Sequence, residues 1–444
     1  MLKTFSRGGV HPPENKLSDS SGIQILPPPQ RVTIPLSQHL GVPAKPVVDR
    51  GDPVKTGQII AKGDGFVSSN IHSSVSGKVL KIDNELDPTG YKRPCIVIDV
   101  SGDEWQENID QSANLVKEVN SDSESIISKI QEAGIVGLGG ATFPSHVKLS
   151  VPRGKTAEYL IVNGVECEPF LTADHALMLE KGKELMIGIQ ILKKALKVSK
   201  ALVGVENNKP DAINHLTNLA RNHEGIEVLA LKVKYPQGGE KQLIKALLNR
   251  EVPSGGLPVD VGTVAFNVGT VFAAYEAVQK NKPLFERVVT ITGISIRNPS
   301  NFRVRIGTPI SDLIEAVGGI PDDTGKIIMG GPMMGKAIGD VTIPVVKGSS
   351  GILLIPEALS KRRKIQSCIR CTKCITVCPM GLEPYLLMPL SQKEMFDRLE
   401  ENKVLDCIEC GSCSYICPAD RPLLDYIRLG KANVSKIIRS RKSS

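Results

Sequence analysis

Early in the chain, apolar and polar residues alternate in short runs cut by glycine and proline. QRVTIPL, GDPVKTGQIIAKGDG and IHSSVSGKVLKID, between about residues 30 and 100, read as small-β structure. From Asp122 the period changes. SESIISKIQEAG has a helical repeat behind the capping residues Ser121 and Asp122. EYLIVNGVECEPF then carries a buried strand over Tyr159 to Val162. In the long helix that follows, Leu185, Ile189, Leu192 and Leu196 share one face while Lys193, Lys194 and Lys197 lie elsewhere, a core-facing stripe. KALVGVE and IEVLALKVK are further strand-length apolar runs, with a helix near 211–222 between them. This alternation predicts a parallel sheet covered by helices, with ligand-binding loops at the strand C-terminal ends.

Later, RVVTITGISIRNPSNFRVRIGTPISDLIEAVGGI predicts two strands around the turn Asn298 to Asn301, then a helix from Thr308 to Val317 closed by Gly318 and Gly319. The methionines of IMGGPMMGKAI (Met329, Met333 and Met334) read as adaptable packing against a neighbour, not as metal ligands. Residues 346–367 read as a connector. The stretch 380–406 reads as mostly helical, with QKEMFDRLEENK its clearest run.

The cysteines change the picture most. Eight of the ten stand in two runs, Cys368, Cys371, Cys374 and Cys378, then Cys407, Cys410, Cys413 and Cys417, each followed by proline. The spacing C-x2-C-x2-C-x3-C-P is that of a two-cluster ferredoxin, in which the fourth cysteine of each run ligates the other cluster. One [4Fe–4S] cluster is therefore expected on Cys368, Cys371, Cys374 and Cys417, and the other on Cys407, Cys410, Cys413 and Cys378. Zinc favours two separated C-x2-C pairs, and a disulfide framework suits a short secreted chain. His72 and Cys95 read as isolated core or turn residues.

Composition bounds the rest. Of 444 residues, 41% are hydrophobic and 23% charged, ordinary values for a globular protein of two to four domains. No apolar run approaches the ~18 residues that span a bilayer, and MLKTFSRGGVHPPENK lacks the apolar core of a secretory signal. The expectation is a soluble chain in the reducing cytoplasm. The net charge of +8 comes partly from KRRK at Lys361 to Lys364 and from a basic tail. Such patches suit anionic lipid or an acidic electron-transfer partner, or are merely solvated. One tryptophan, 4% aromatic residues and no recognition motif speak against nucleic acid.

Two resemblances extend this reading. VDRGDPVKTGQIIA followed by SSVSGKV is similar to the hammerhead of biotinyl and lipoyl carrier domains. The intervening residues Phe66 to Asn70 contain no lysine to modify, so a docking or scaffold module is expected. The glycines at 134, 137, 139 and 140 leave a backbone that can approach a phosphate, although GLGGAT alone is a weak signal and no G-x-G-x-x-G fingerprint. GLGGATFPSHVK, NGVECEPF, YPQGGEKQL and FNVGTV occur in the order seen in the flavin- and NADH-binding subunit of respiratory complex I. With GGVHPPENK and the double cysteine motif added, the chain resembles the C-subunit family of the Rnf complex over essentially its whole length.

That resemblance implies an electron-input subunit of a membrane-bound, ion-translocating NAD:ferredoxin oxidoreductase. It would exchange hydride between NAD(H) and FMN and pass single electrons through two [4Fe–4S] clusters to partner subunits. Those partners would include a ferredoxin-facing iron–sulfur subunit and membrane subunits, and would hold the chain peripherally at the cytoplasmic face of the inner membrane. Gly137, Gly139 and Gly140 would line flavin and nucleotide, with Lys148 near the FMN phosphate. Asn163 and Glu166 would hold the isoalloxazine side, and Glu168 would contact the nicotinamide half. Tyr235, Gly238, Gly239 and Glu240 would form the second flavin loop, and Asn267 and Thr270 would meet ribityl or phosphate oxygens. Two departures stand out: complex I has aspartate where Val165 stands, removing a flavin contact, and glycine where Thr142 stands, narrowing the loop. Read alone, Tyr235 is a packed strand-end aromatic and Glu240 an exposed acid at a helix N-terminus. No acid–base catalyst is expected.

The expected fold class is multidomain α/β. Residues 1–115 form a hammerhead-like small-β module and 116–285 a Rossmann-like FMN and NADH domain. Residues 286–345 form a soluble-ligand-binding β-grasp domain and 360–430 a helical two-cluster domain. A microcompartment cobalamin reductase shares the flavin and cluster regions but matches less at the N-terminus. A cluster-only relay without an NADH site is the remaining alternative.

Overall fold

The computed structural model describes residues 2–443, with side chains as far as 441. The small-β module is built from two sheets. Arg31–Pro35, Lys92–Val100, Gly77–Leu86 and Pro53–Val54 pair in that order, and Ile59–Lys62 lies between Lys45–Pro46 and Ile71–His72. Alternate side chains such as Val32, Ile34, Ile96 and Ile98 point inward and close one apolar core with Val54, Ile60 and Val79. The hairpin tip where carriers hold their lysine presents Phe66, 65% exposed, against His146.

The predicted parallel sheet is present. Its strands run in the order Ile226–Leu231, Lys200–Glu206, Tyr159–Asn163, Thr263–Asn267, every pair parallel. Leu160, Val162, Ala201, Val203 and Val205 face the helices Ser123–Glu132, Gly182–Leu196 and Val268–Lys280. Ile161, Leu202 and Ala265 face Glu240–Leu248 on the other side. Burial on both faces explains why these strands read as continuous apolar runs. The strand order reverses between Tyr159–Asn163 and Thr263–Asn267, where Asn163 and Asn267 are register partners at the C-terminal ends. An open α/β sheet binds ligands at such a point.

Two features were not apparent from the sequence. Gly351–Pro356, inside the stretch read as a connector, is a central strand of a six-stranded sheet, parallel to Glu286–Thr292 and antiparallel to Thr324–Met329. The apolar run GILLI is buried there as far as Leu354. The same sheet takes Ile23–Ile25 as an edge strand parallel to Ser300–Arg305, so the N-terminal residues leave the small-β module. The predicted helix of this domain is Ile310–Ala316.

In the C-terminal domain Pro384–Gln392, Phe396–Glu401 and Leu423–Ser443 pack through Leu387, Leu390, Leu399, Leu423 and Ile427. QKEMFDRLEENK is not one helix. Glu394 has φ 53°, and Met395 N–H turns back to the Leu390 carbonyl, which folds Leu399 onto the long terminal helix. No helix among the described residues is long and apolar enough to cross a membrane.

Candidate functional site

The two cysteine runs fold as one motif used twice. Left-handed residues recur at matching places after each run begins: Arg370 and Glu409, Thr372 and Gly411, then Gly381 and Asp420. Each run bends into a short helix, Lys373–Thr376 or Ser412–Tyr415. The thiols then sort across the runs. Cys378, Cys407, Cys410 and Cys413 line one apolar pocket, walled by Leu387 and Ile427. Burial, with the charges of Cys410 and Cys378 adding, pushes the Cys407 thiol up to about 11. Cys413 is pushed up by burial and by Cys407, Cys410 and Cys378. Cys374 is raised by burial and by Cys417 and Cys368. Cys378 thus stands beside the second run and Cys417 beside the first. Cys378, Cys410 and Cys413 are buried, whereas Cys368 and Cys371 are exposed. Among the described residues no three His, Cys, Asp or Glu converge on a single point. A cubane takes its thiolates at four separate irons, so thiols spread around a pocket suit it.

At the sheet's switch point the glycine-rich loop is held from behind. Gly137 N–H bonds the Phe143 carbonyl at 2.9 Å, and Leu138 N–H bonds the Thr270 hydroxyl at 2.8 Å. A Cβ on Gly139 would stand 3.2 Å from Asn267, so glycine permits that approach. Gly140 has φ 122° and open space beside it. Among the described residues no internal hydrogen bond occupies the N–H groups of Gly139, Gly140 or Ala141. Asn267 caps the helix behind it through Gly269 N–H (2.8 Å) and donates to Asp174 (2.6 Å). Asn163 donates to the Gly238 carbonyl at 2.8 Å and accepts from Val165 N–H, fastening the second loop to the first strand.

Several side chains have partners that spacing did not foretell. Lys148 lies 2.7 Å from Glu240 and donates to the Ala265 carbonyl, so these two candidates meet each other. Glu166, at φ 48°, accepts from Asp174 and His175 N–H and so caps Ala173–Glu180. Glu168 turns to the methionine loop, accepting from Met333 N–H (3.2 Å) and Met334 N–H (2.7 Å). Burial pushes its carboxyl up to about 7. A folded-state acid raised in this way favours folding below its ordinary value of 4.5 and loses that contribution as pH rises through about 7. Glu168→Gln is therefore expected to flatten the fall in thermal midpoint across that window, and an unchanged slope would remove Glu168 as its source.

Tyr235 joins the two halves. It is 2% exposed, and its hydroxyl donates to the Cys410 carbonyl at 2.8 Å. Beside it runs GGVHPPENK. Gly9 N–H bonds the Val377 carbonyl, and Val10 and Tyr235 exchange backbone bonds at 2.8 and 2.9 Å. Lys16 then donates to the carbonyls of Glu166, Glu168 and Leu171. Val10, Tyr235 and Cys410 share a small apolar cluster with Cys167 and Met333. Cys167 also accepts from Gly238 N–H at 3.3 Å. Gly8, Lys16 and Cys167 were visible only as parts of longer motifs, because their partners come from distant segments.

Four family models match in the same order as these structural units. They are an RnfC barrel sandwich hybrid domain over residues 4–103, a Nuo51 FMN-binding domain over 130–276, an SLBB domain over 288–337 and a 4Fe-4S dicluster domain over 360–418. The C subunit of the proton-translocating ferredoxin:NAD(+) oxidoreductase complex of Clostridium ljungdahlii is 50% identical over 97% of this chain and 94% of its own. The Na(+)-translocating counterpart of Acetobacterium woodii is 43% identical over 96% of each. The chain belongs to the Rnf C-subunit family. A solved NAD+-reducing [NiFe]-hydrogenase in its air-oxidized state shares the fold over 71% of this chain and 66% of its own, with a TM-score of 0.50 at 16% identity.

For a member of this family, the residues present fit the groups these domains hold. The crossed thiol sets suit two cubane clusters. The unoccupied N–H groups of Gly139 to Ala141 suit a flavin phosphate or its ribityl chain. Val165 is buried behind Gly238, with its carbonyl accepting from Lys209 at 2.9 Å, so this position supplies packing and no side-chain hydrogen bond.

Proposed function

We propose that this chain is the electron-input subunit of a membrane-bound, ion-translocating NAD:ferredoxin oxidoreductase, holding FMN, NAD(H) and two [4Fe–4S] clusters. The observation that carries this reading is the contact of Tyr235, in the second flavin loop, with the carbonyl of Cys410 in the buried thiol set. On this reading that set is the inner one, on the flavin side, and Cys368, Cys371, Cys374 and Cys417, of which Cys368 and Cys371 are exposed, form the outer one. FMN, when bound, supplies the change between the paired electrons of a nicotinamide and the single electrons of a cluster. The chain's own residues bind and orient. Gly139, Gly140 and Ala141 offer N–H groups, while Thr270 and Asn267 hold their loop in place. Lys148 would exchange Glu240 for a phosphate, which leaves Glu240 facing the cleft beside Gly238 and Gly239. Glu166 and Glu168 act from behind, one capping a helix and the other fastening the methionine loop. Peripheral association at the cytoplasmic membrane face, through the membrane subunits and the ferredoxin-facing iron–sulfur protein of the complex, completes the reading.

Anaerobically purified protein is expected to carry about eight irons and one FMN per chain. NADH should bleach its visible absorption. Iron without flavin or bleaching would reduce the chain to a cluster relay, and zinc without iron would overturn both.

A further inference from the structure

Cys368 and Cys371 of the outer thiol set lie in an exposed, irregular stretch. Every residue from Lys361 to Lys373 is exposed, and no helix or strand occurs before Lys373. A backbone bond from Gln366 N–H to the Ala419 carbonyl, 3.0 Å, ties its middle to the other cluster loop. No aspartate or glutamate occurs between Ala358 and Leu382. Lys361 pairs with Glu357 and Arg362 with Asp425, each at 2.8 Å. Arg363, Lys364, Arg370 and Lys373 have no acidic partner among the described residues. Among these cations stand Leu359, Ile365 and Ile369, 65%, 55% and 69% exposed.

Exposed apolar side chains interspersed with cations along one segment mark an interaction site. The single sign of the unpaired charges states what the partner must carry. Cations this exposed are screened by solvent, so tuning the nearby thiolates is a weak use for them. Steering an oppositely charged partner is a strong one, because the field acts before contact. The irregular backbone also leaves N–H and carbonyl groups for a partner to bond.

Building on the electron-input reading, we propose that Leu359 to Lys373 is the docking face for a protein that carries its own redox centre within an acidic, partly apolar surface. A lipid headgroup layer would also neutralise the cations. The exposed Cys368 and Cys371 decide for a protein, because electrons leaving there need a second centre within reach, and headgroups offer none.

The test uses the full chain, loaded with flavin and clusters, and an acidic two-cluster ferredoxin as probe. Binding is followed by carbodiimide cross-linking and by titration at rising salt. The double reversal Arg363→Glu/Lys364→Glu lies outside the ligand loop and should leave iron content unchanged. It is expected to weaken ferredoxin binding by about ten-fold or more at low salt and to remove most of the salt dependence. Equal binding by variant and wild type would overturn the proposal. So would a loss confined to phosphatidylglycerol vesicles, which would make the face a membrane contact. If NADH fails to reduce the chain while charge-dependent binding persists, the NADH reading falls and the docking face stands.

Discussion

Replacing Cys378 with serine is expected to abolish the cluster begun by Cys407, Cys410 and Cys413, although Cys378 belongs to the other run. Iron should fall from about eight to about four per chain. The remaining signal in electron paramagnetic resonance should be that of the outer set. Cys378 lines the pocket of the second run, while Cys374 feels Cys417 and Cys368. Serine keeps the volume but is a poor ligand for iron, and a cubane lacking one corner thiolate is labile. Because this set lies beside Tyr235, its loss should also stop NADH from reducing the outer cluster, even with flavin retained. Cys417→Ser makes the contrast. It removes an outer-set ligand, so NADH should still reduce the inner cluster. Exchanged losses, with Cys378→Ser removing the outer signal and Cys417→Ser the inner one, would refute the crossed assignment.

The cluster spacing was legible because this motif draws three ligands to one cubane from one tight loop, so the chemistry is written locally. The parallel sheet was legible because strands buried on both faces need continuous apolar runs, and Leu160 to Val162 and Ala201 to Val205 supply them. Pairings between distant segments were not. Gly351–Pro356 is apolar enough for a strand, but its neighbours are Glu286–Thr292 and Thr324–Met329. The roles of Glu166, Glu168 and Lys148 depend likewise on backbone and side chains brought in from elsewhere. Spacing puts them near a flavin; only the fold reveals that Glu166 caps a helix, Glu168 holds the methionine loop and Lys148 meets Glu240. The break at Glu394 overrides a run of good helix formers, because Met395 must turn back onto Leu390.

The same logic makes Gly8 the most sensitive residue of the N-terminal strap. Its φ is 69°, a conformation that costs an ordinary residue about 1–2 kcal/mol. A Cβ there would also stand 2.6 Å from both the Cys378 carbonyl carbon and the Val377 carbonyl oxygen. Both obstacles are backbone, and Cys378 is held further by its place in the inner set, so neither can yield. Gly8→Ala is therefore expected to lift the strap, breaking the bond from Gly9 to Val377 and loosening the exchange between Val10 and Tyr235. The total cost should be about 2–4 kcal/mol from strain and lost backbone bonds. Tyr235→Phe, which removes only the bond to Cys410, should cost about 1 kcal/mol. The kinetic signature separates a positioning strap from a general stabiliser. Stopped-flow mixing with NADH should show flavin reduction at the wild-type rate in Gly8→Ala and slower reduction of the inner cluster, because only the spacing between the two halves has changed. If both phases slow together, or neither does, the strap does not set that spacing.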